Sequence, residues 1–284
     1  MPSRDIFQYD YHIHTVYSGH SAEDMRVSRI IQKAGSLGLK RIVILEHVPG
    51  VQSSLQGEIL AGEHDPGATV RVHLDAILEE RAIQAGRSPV EVLVGAEVDA
   101  DPKRMDGSLL LGDLSGLDLV IGSTHYLPDG RGLWYDRTDW LPVEQESIYR
   151  EWFLWAGRVV ENPRVEILAH PGVVLARHGG VAAFEGAVLD DFAGLFAVCR
   201  RCRTAIELNE LMRGKLKARQ VETYENVLAL ARDMGLCFSI GSDAHRIESI
   251  GRYEWVRAMA GRLGLTEDHL HHPKPRSRTV EAQA

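Results

Sequence analysis

Cysteine is scarce in this chain of 284 residues, with only Cys199, Cys202 and Cys237. Three thiols build no disulfide framework. The Cys199-x-x-Cys202 pair has no second pair near it and falls late in an amphipathic run, so it reads as two small helix side chains. Long apolar runs are missing too: none reaches the roughly 18 residues that a membrane span needs. The opening residues, MPSRDIFQYDYHIH, lack the apolar core of a signal peptide. These absences give the expectation of a soluble cytoplasmic protein without a membrane partner. There is no excess of basic charge either, since 32 Lys and Arg face 40 Asp and Glu for a formal −8. Proteins that hold long polyanions usually present a basic face, so nucleic acid is not the expected partner. A local pocket for one phosphate stays compatible with the balance. No Gly-x-Gly-x-x-Gly or P-loop follows any apolar run, which argues against a nucleotide cofactor.

At 25% charged and 44% hydrophobic residues, the composition is that of a folded globular chain and excludes wholesale disorder. Short Val, Ile and Leu runs predict strands at Phe7–His14, Arg41–Leu45, Val90–Val94, Leu117–Ile121, Val165–Leu168, Thr204–Leu208 and Leu236–Ile240. Helical periodicity separates most of them, at Leu74–Ala85, Glu144–Val160, Ala183–Arg203 and Val221–Met234. A further helix is predicted after the first strand. There Ser21-Ala-Glu-Asp24 reads as a capping box, Ile30, Ile31, Ala34 and Leu37 as an apolar face, and Gly38 as the stop. Alternating strands and helices imply parallel pairing with right-handed crossovers. The expectation is an α/β fold: a single-domain, distorted, TIM-like (β/α)7 barrel over residues 1–265, followed by a loose polar tail at 266–284. Residues 50–67 and 128–142 read as long loops, the latter with Trp134, Tyr135 and Asp136 able to wall a pocket.

What stands at the strand ends carries the chemistry. His12, His14 and His20 follow the first strand, Glu46 and His47 the second, and Glu97 the third. His125 follows the fourth, His170 the fifth, and Asp243 and His245 the seventh. Six of the seven predicted strands thus deliver a metal-capable side chain to one rim, the C-terminal edge where parallel barrels build their sites. Residues i and i+2 share a strand face, so His12 with His14, and Asp243 with His245, can aim at one centre. Imidazole and carboxylate donors suit zinc, manganese and iron. A lone His at a strand end is more often a hydrogen-bonded polar residue. Chance placement of nine donors at one rim would leave many polar groups converging without partners, which is costly.

The motifs Asp10-x-His12-x-His14-Thr15, His20, Glu46-His47, Gly95-x-Glu97, Gly122-Ser-x-His125, His170-Pro171 and Gly241-Ser-Asp243-x-His245 closely resemble the PHP (polymerase and histidinol phosphatase) family. Ser18-Gly-His20, Gly122-Ser-Thr-His125-Tyr126 and Gly241-Ser-Asp243-Ala-His245-Arg246 look most like its histidinol-phosphatase branch. Glu46 stands where the family usually has Asp, and His170-Pro171-Gly172 follows the general family form. The resemblance implies a barrel holding three divalent metals (Zn, Mn or Fe). His12, His14, Glu97 and Asp243 would hold the first, and Glu97 would bridge to a second held by His125 and His170. His20, His47 and His245 would hold the third. Seven neutral imidazoles and two carboxylates around three such ions leave about +4 of charge, enough to attract a phosphate dianion to an acidic protein. The resemblance therefore implies a metal-dependent hydrolase acting on a small phosphate monoester by attack of a metal-bound hydroxide, with Asp243 and His245 at the catalytic position. L-histidinol phosphate, and with it histidine biosynthesis, is the first choice of substrate. A PHP phosphoesterase of other specificity, for nucleotides or single-stranded ends, is the alternative. A noncatalytic metal-dependent module is the third reading, and all nine donors being present speaks against it. Arg246, Arg213, Arg177 and His178 are the candidate substrate-binding residues, and the oligomeric state is left open.

Overall fold

The computed structural model describes residues 5–48, 66–101, 108–110, 113–125, 127 and 139–274. The expected loop residues Trp134, Tyr135 and Asp136 lie outside the described residues, as do 50–65 and 275–284. Seven strands run parallel in chain order: β1 (Tyr9–His14), β2 (Arg41–Val48), β3 (Glu91–Asp99), β4 (Leu119–Ser123), β5 (Ile167–Leu168), β6 (Ala205–Asn209) and β7 (Phe238–Gly241). Strand β7 comes back beside β1 through one bridge, Ile13 to Ala244, where the His14 amide donates to the Ala244 carbonyl at 3.0 Å. The result is the expected α/β barrel, nearly closed. Among the described residues the α-helices are α1 (Val27–Ser36), α2 (Pro66–Gln84), α3 (Pro142–Glu161), α4 (Val173–Arg177), α5 (Ala187–Cys202), α6 (Met212–Lys215), α7 (Ala218–Asp233) and α8 (Glu254–Leu263).

Strands covered on both faces read as continuous apolar runs, and the core accordingly splits in two. Tyr11, Val43, Leu45, Leu93, Leu119, Ile121, Ile167, Ala169 and Ala205 fill the barrel interior. A larger cluster, with Ile42, Ile44, Val94, Trp152, Trp155, Phe192 and Phe196, lies between strands and helices. This alternation decides which side chains reach the mouth: Val43 and Leu45 point inward, and so does His47 two residues on. Strand β1 departs from it. Its register against β2 slips between Asp10 and Ile13, and such a bulge inverts the parity of everything beyond it. Tyr11 therefore fills the interior below while His12 and His14, of opposite parity, also turn inward above.

Two local expectations are corrected. Helix α1 starts at Val27 with Arg26 as an uncapped N-cap, so Ser21 to Asp24 form no capping box. Residues 16–26 instead cross the rim, where the Ala22 amide donates to the His245 carbonyl at 2.9 Å and Ser18 and Ser21 pair through their hydroxyls at 2.8 Å. Leu37 is 46% exposed, whereas Ile30, Ile31 and Ala34 are buried. The polar segment expected to be loose beyond Leu265 is anchored through residue 274 against the N-terminal strand ends. There the His271 amide donates to the Phe238 carbonyl at 2.7 Å, His272 Nδ1 meets the Tyr11 hydroxyl at 2.8 Å and Arg41 donates to the Pro273 carbonyl at 3.0 Å.

Three of the glycines preceding site residues are required for space. A Cβ on Gly95 would sit 2.5 Å from the Leu119 carbonyl oxygen, one on Gly122 would overlap Val159, and one on Gly241 would overlap Glu207. Side chains there would wedge the strands that carry Glu97, His125 and Asp243. Gly95→Ala is expected to cost about 1–3 kcal/mol by overpacking, read as a lower urea midpoint. An unchanged midpoint would contradict the close packing of β3 on β4.

Candidate metal centre

The barrel mouth gathers the side chains that the strand ends promised. His12 and His14 are fully buried, Glu97 is 1% exposed, and His47, His125, His170 and Asp243 are buried as well. Their atoms lie close: His12 Nε2 to His14 Nε2 is 2.9 Å, His47 Nδ1 to Glu97 Oε2 is 2.9 Å and His170 Nε2 to Glu97 Oε1 is 2.8 Å. Asp243 Oδ1 stands 3.4 Å from His14 Nε2 and 3.5 Å from His245 Nδ1. Three overlapping groups emerge, each with donor atoms within 4.8 Å of one another: His12, His14 and Glu97; Glu97, His125 and His170; and His14, His47 and His245. His20 is exposed at the edge, with its ring centroid 4.2 Å from that of His245 and 5.1 Å from that of His47. His170 and Asp243 leave their strands with positive φ, 22° and 54°, the kind of backbone strain that non-glycine residues carry where a site demands it.

Four imidazoles are tied from outside by their Nδ1 atoms. His125 is held by Asp99 Oδ2 at 3.0 Å, His12 by Glu207 Oε1 at 2.7 Å, His20 by the Ser18 carbonyl at 3.1 Å and His245 by the Asp243 carbonyl at 2.9 Å. Each of these partners only accepts, so each Nδ1 carries a hydrogen and Nε2 is the nitrogen left to face a metal ion, once any proton on it has been displaced. Such outer acceptors characteristically orient metal-binding histidines. Three further buried nitrogens, His14 Nδ1, His47 Nε2 and His245 Nε2, have no hydrogen-bond partner among the described residues, a condition that calls for explanation in a folded protein. The donor set therefore fits divalent cations.

The electrostatics point the same way. Burial resists charge on His12, yet Glu207, Asp243 and Glu97 hold it protonated well above the usual imidazole range. Burial also opposes charge on His125, but Asp99 and Glu97 raise it to about 9. Burial and the neighbouring His14 push His245 down to about 3 and His47 well below its usual value. Burial disfavours an ionised Glu97, which His12, His47 and His125 nonetheless keep far below the ordinary carboxylate range. Without metal, protons on the imidazoles balance the carboxylates; a divalent ion bound there would take their place.

Sequence reasoning missed the acidic groups beneath the ligands. Strand β6 seemed to bring nothing, but Glu207 and Asn209 face the site from it, and Asp99 of β3 grips both the amide and the ring of His125. Glu207 and Asp99 add two negative charges, which lowers the expected charge of about +4 to about +2. The legible signal was position: Glu207 and Asn209 share a face of β6, as Glu97 and Asp99 share one of β3. Glu46 is buried, accepting from the His47 amide at 3.1 Å and the Thr15 hydroxyl at 3.3 Å; burial raises it to about 7.

Of the expected substrate contacts, Arg246 and Arg213 are exposed and Arg177 is half-buried. His178 is buried, and its Nδ1 accepts the Trp140 indole hydrogen at 3.1 Å, so that nitrogen is engaged by the protein. Lys215, half-buried, was not foreseen. Burial and the nearby Arg177 lower its pKa while Asp243 raises it, which puts a pair of cations on the β5–β6 side of the mouth.

This barrel with a histidine-rich mouth matches the PHP domain model over residues 10–210, a span that takes in His12 through Asn209. The chain belongs to the PHP-domain family. It is 24% identical over 259 residues to a protein of Thermoanaerobacter sp. (strain X514) named a probable phosphatase, covering 91% of this chain and 87% of that protein. A probable phosphatase of Vibrio parahaemolyticus is 23% identical, with 92% and 87% covered. Among solved structures, histidinol phosphate phosphatase from Lactococcus lactis, in complex with Zn, L-histidinol and phosphate, superposes with a TM-score of 0.58 at 19% identity. That likeness covers 90% of this chain and 94% of the other.

Metal uptake must displace the protons that the centre holds. With His125 raised to about 9, adding Mn2+ or Zn2+ to metal-free protein at about pH 7 is expected to release protons. Calorimetric heats that vary with the ionisation enthalpy of the buffer would show it; buffer-independent heats would contradict it.

Proposed function

We propose that this chain is a metal-dependent phosphatase that hydrolyses a small phosphate monoester, with L-histidinol phosphate its first candidate substrate. The observation that carries the reading is the nest of three overlapping donor groups, sharing Glu97 and His14, at the C-terminal mouth of the barrel. The names of the relatives support phosphatase chemistry, and the ligands of the Lactococcus structure support the substrate.

In this reading His12, His14, Glu97 and Asp243 hold one ion, Glu97, His125 and His170 a second, and His20, His47 and His245 a third. Zn, Mn or Fe bound there supplies Lewis-acid charge for phosphoryl oxygens and acidifies water. The protein's own part is to hold that charge in place and admit the phosphate. Asp243 stands with the first group beside His14, and its backbone carbonyl, not its carboxylate, orients His245. His245 stays neutral at physiological pH, since burial and His14 push it to about 3, and so remains a donor of electron pairs. Arg177 and Lys215 take the phosphate from the β5–β6 side. Arg246 and Arg213 reach it from the exposed rim, Arg as a two-pronged donor suited to phosphate oxygens. Water attacks phosphorus in line as the ester P–O bond breaks, the alcohol leaves with a proton drawn from that water, and inorganic phosphate remains, with no side chain phosphorylated on the way.

A panel of histidinol phosphate, mononucleotides, nucleoside bisphosphates and an oligonucleotide, assayed for phosphate release with Mn, Zn and Fe, tests this. Histidinol phosphate is expected to lead by more than about a hundredfold in kcat/KM, roughly 2.7 kcal/mol of transition-state stabilisation. Preference for a nucleotide would transfer the substrate to the alternative specificity. Absence of phosphate release from every member would end the phosphatase reading.

A further inference from the structure

Strand β6 contributes no residue to the ligand set, yet its two inward polar side chains touch ligands from three other strand ends. Glu207 Oε1 accepts from His12 Nδ1 at 2.7 Å. Its Oε2 accepts from the His170 backbone amide at 2.8 Å and from Asn209 Nδ2 at 3.1 Å. The other hydrogen of the Asn209 amide goes to Asp243 Oδ2, also at 3.1 Å. Asn209 Oδ1 accepts from the Met212 amide at 3.2 Å, which settles which end of that side chain is the donor. Glu207 is 1% exposed and Asn209 2%. Behind them Gly241 leaves no room: a Cβ there would overlap Glu207 Oε1 and come within 2.6 Å of His12 Cβ.

We infer that Glu207 and Asn209 are positioning residues, a bracket that fixes the donor faces of His12, His170 and Asp243 and so governs metal affinity at the first two donor groups but not at the third. Glu207 is an acceptor on both oxygens, so His12 donates from Nδ1 and aims the Nε2 lone pair into the mouth. The same carboxylate grips the backbone at His170, where φ is 22°, and holds the strained turn that delivers its ring to Glu97. Neither β6 side chain touches His47, His20 or His245 among the bonds formed by described residues, and those three are oriented by Glu97 and by backbone carbonyls. The inference rests on the metal-centre reading above.

Glu207→Gln is the direct test, because glutamine offers one oxygen. If that oxygen accepts from His12, its NH2 opposes the His170 amide and Asn209 Nδ2, and if it turns, His12 loses its acceptor. Metal-free full-length wild type and variant are titrated with Co2+ alone, following visible absorption and calorimetric heat. Outer-shell changes typically weaken binding about 10–100-fold, and a loss of that size is expected in the binding steps of the first two groups, with the remaining step unmoved. A general loss of fold would weaken every step together, and that result, or unchanged affinity throughout, would overturn the inference. A second measurement needs no variant. Long-range 1H–15N spectra of the Zn2+-loaded wild type are expected to show the His12 proton on Nδ1, and a proton on Nε2 would overturn it. Wild type that takes up no Co2+ would instead end the metal-centre reading and this inference with it, whereas wild-type uptake beside an unaltered variant ends the inference alone.

Discussion

A carboxylate enclosed by imidazoles dictates the rest of this molecule. Glu97 has Nε2 atoms of His12, His14, His125 and His170 within 3.5 Å, His47 Nδ1 at 2.9 Å and the Ser123 hydroxyl at 2.5 Å. One negative charge cannot satisfy so many ring nitrogens held out of water, and burying charge without matched partners is expensive. Cations, whether protons or metal ions, are what make such a cluster tolerable. The barrel serves this constraint by carrying donors to the mouth on six of its seven strand ends and filling the space below with apolar side chains that hold the strands in register.

The fold and most of the centre were legible in the chain because two signals are local. Runs such as RIVIL and VEVLV announce strands buried on both faces, and the polar residues within a few positions after each run mark the rim. The His12 and His14 pair follows from parity alone. The bulge in β1 does not, because a register slip depends on how β1 pairs with β2, which no local pattern encodes. It lets Tyr11 serve the interior core and still places His12 inward.

The misses share a cause. Glu207, Asn209 and Asp99 look like ordinary strand polar residues until the ligands they hold arrive from elsewhere in the chain, 195 residues away in the case of His12. The false capping box at Ser21 arose because residues 18–22 bond to one another and to the His245 carbonyl at the rim, contacts that no local pattern announces. His272 seemed to belong to a loose tail, and only the tertiary fold sets it against Tyr9 and Tyr11 at the closed end. Arg177 could be proposed from its place after the fifth strand, whereas its neighbour Lys215 lies within the short helix α6 and gave no such signal. The outer carboxylates also moderate the charge of the mouth, which under the proposed phosphatase reading would ease release of phosphate.

Anomalous scattering from a crystal loaded with manganese or zinc bears most directly on the central claim. Peaks at the absorption edge of the loaded metal are expected within coordination distance of Glu97 and its imidazoles, with His12 and His125 turned by their Nε2 atoms toward them. Density bare of such peaks under metal excess, with these side chains drawn apart to separate partners, would contradict it.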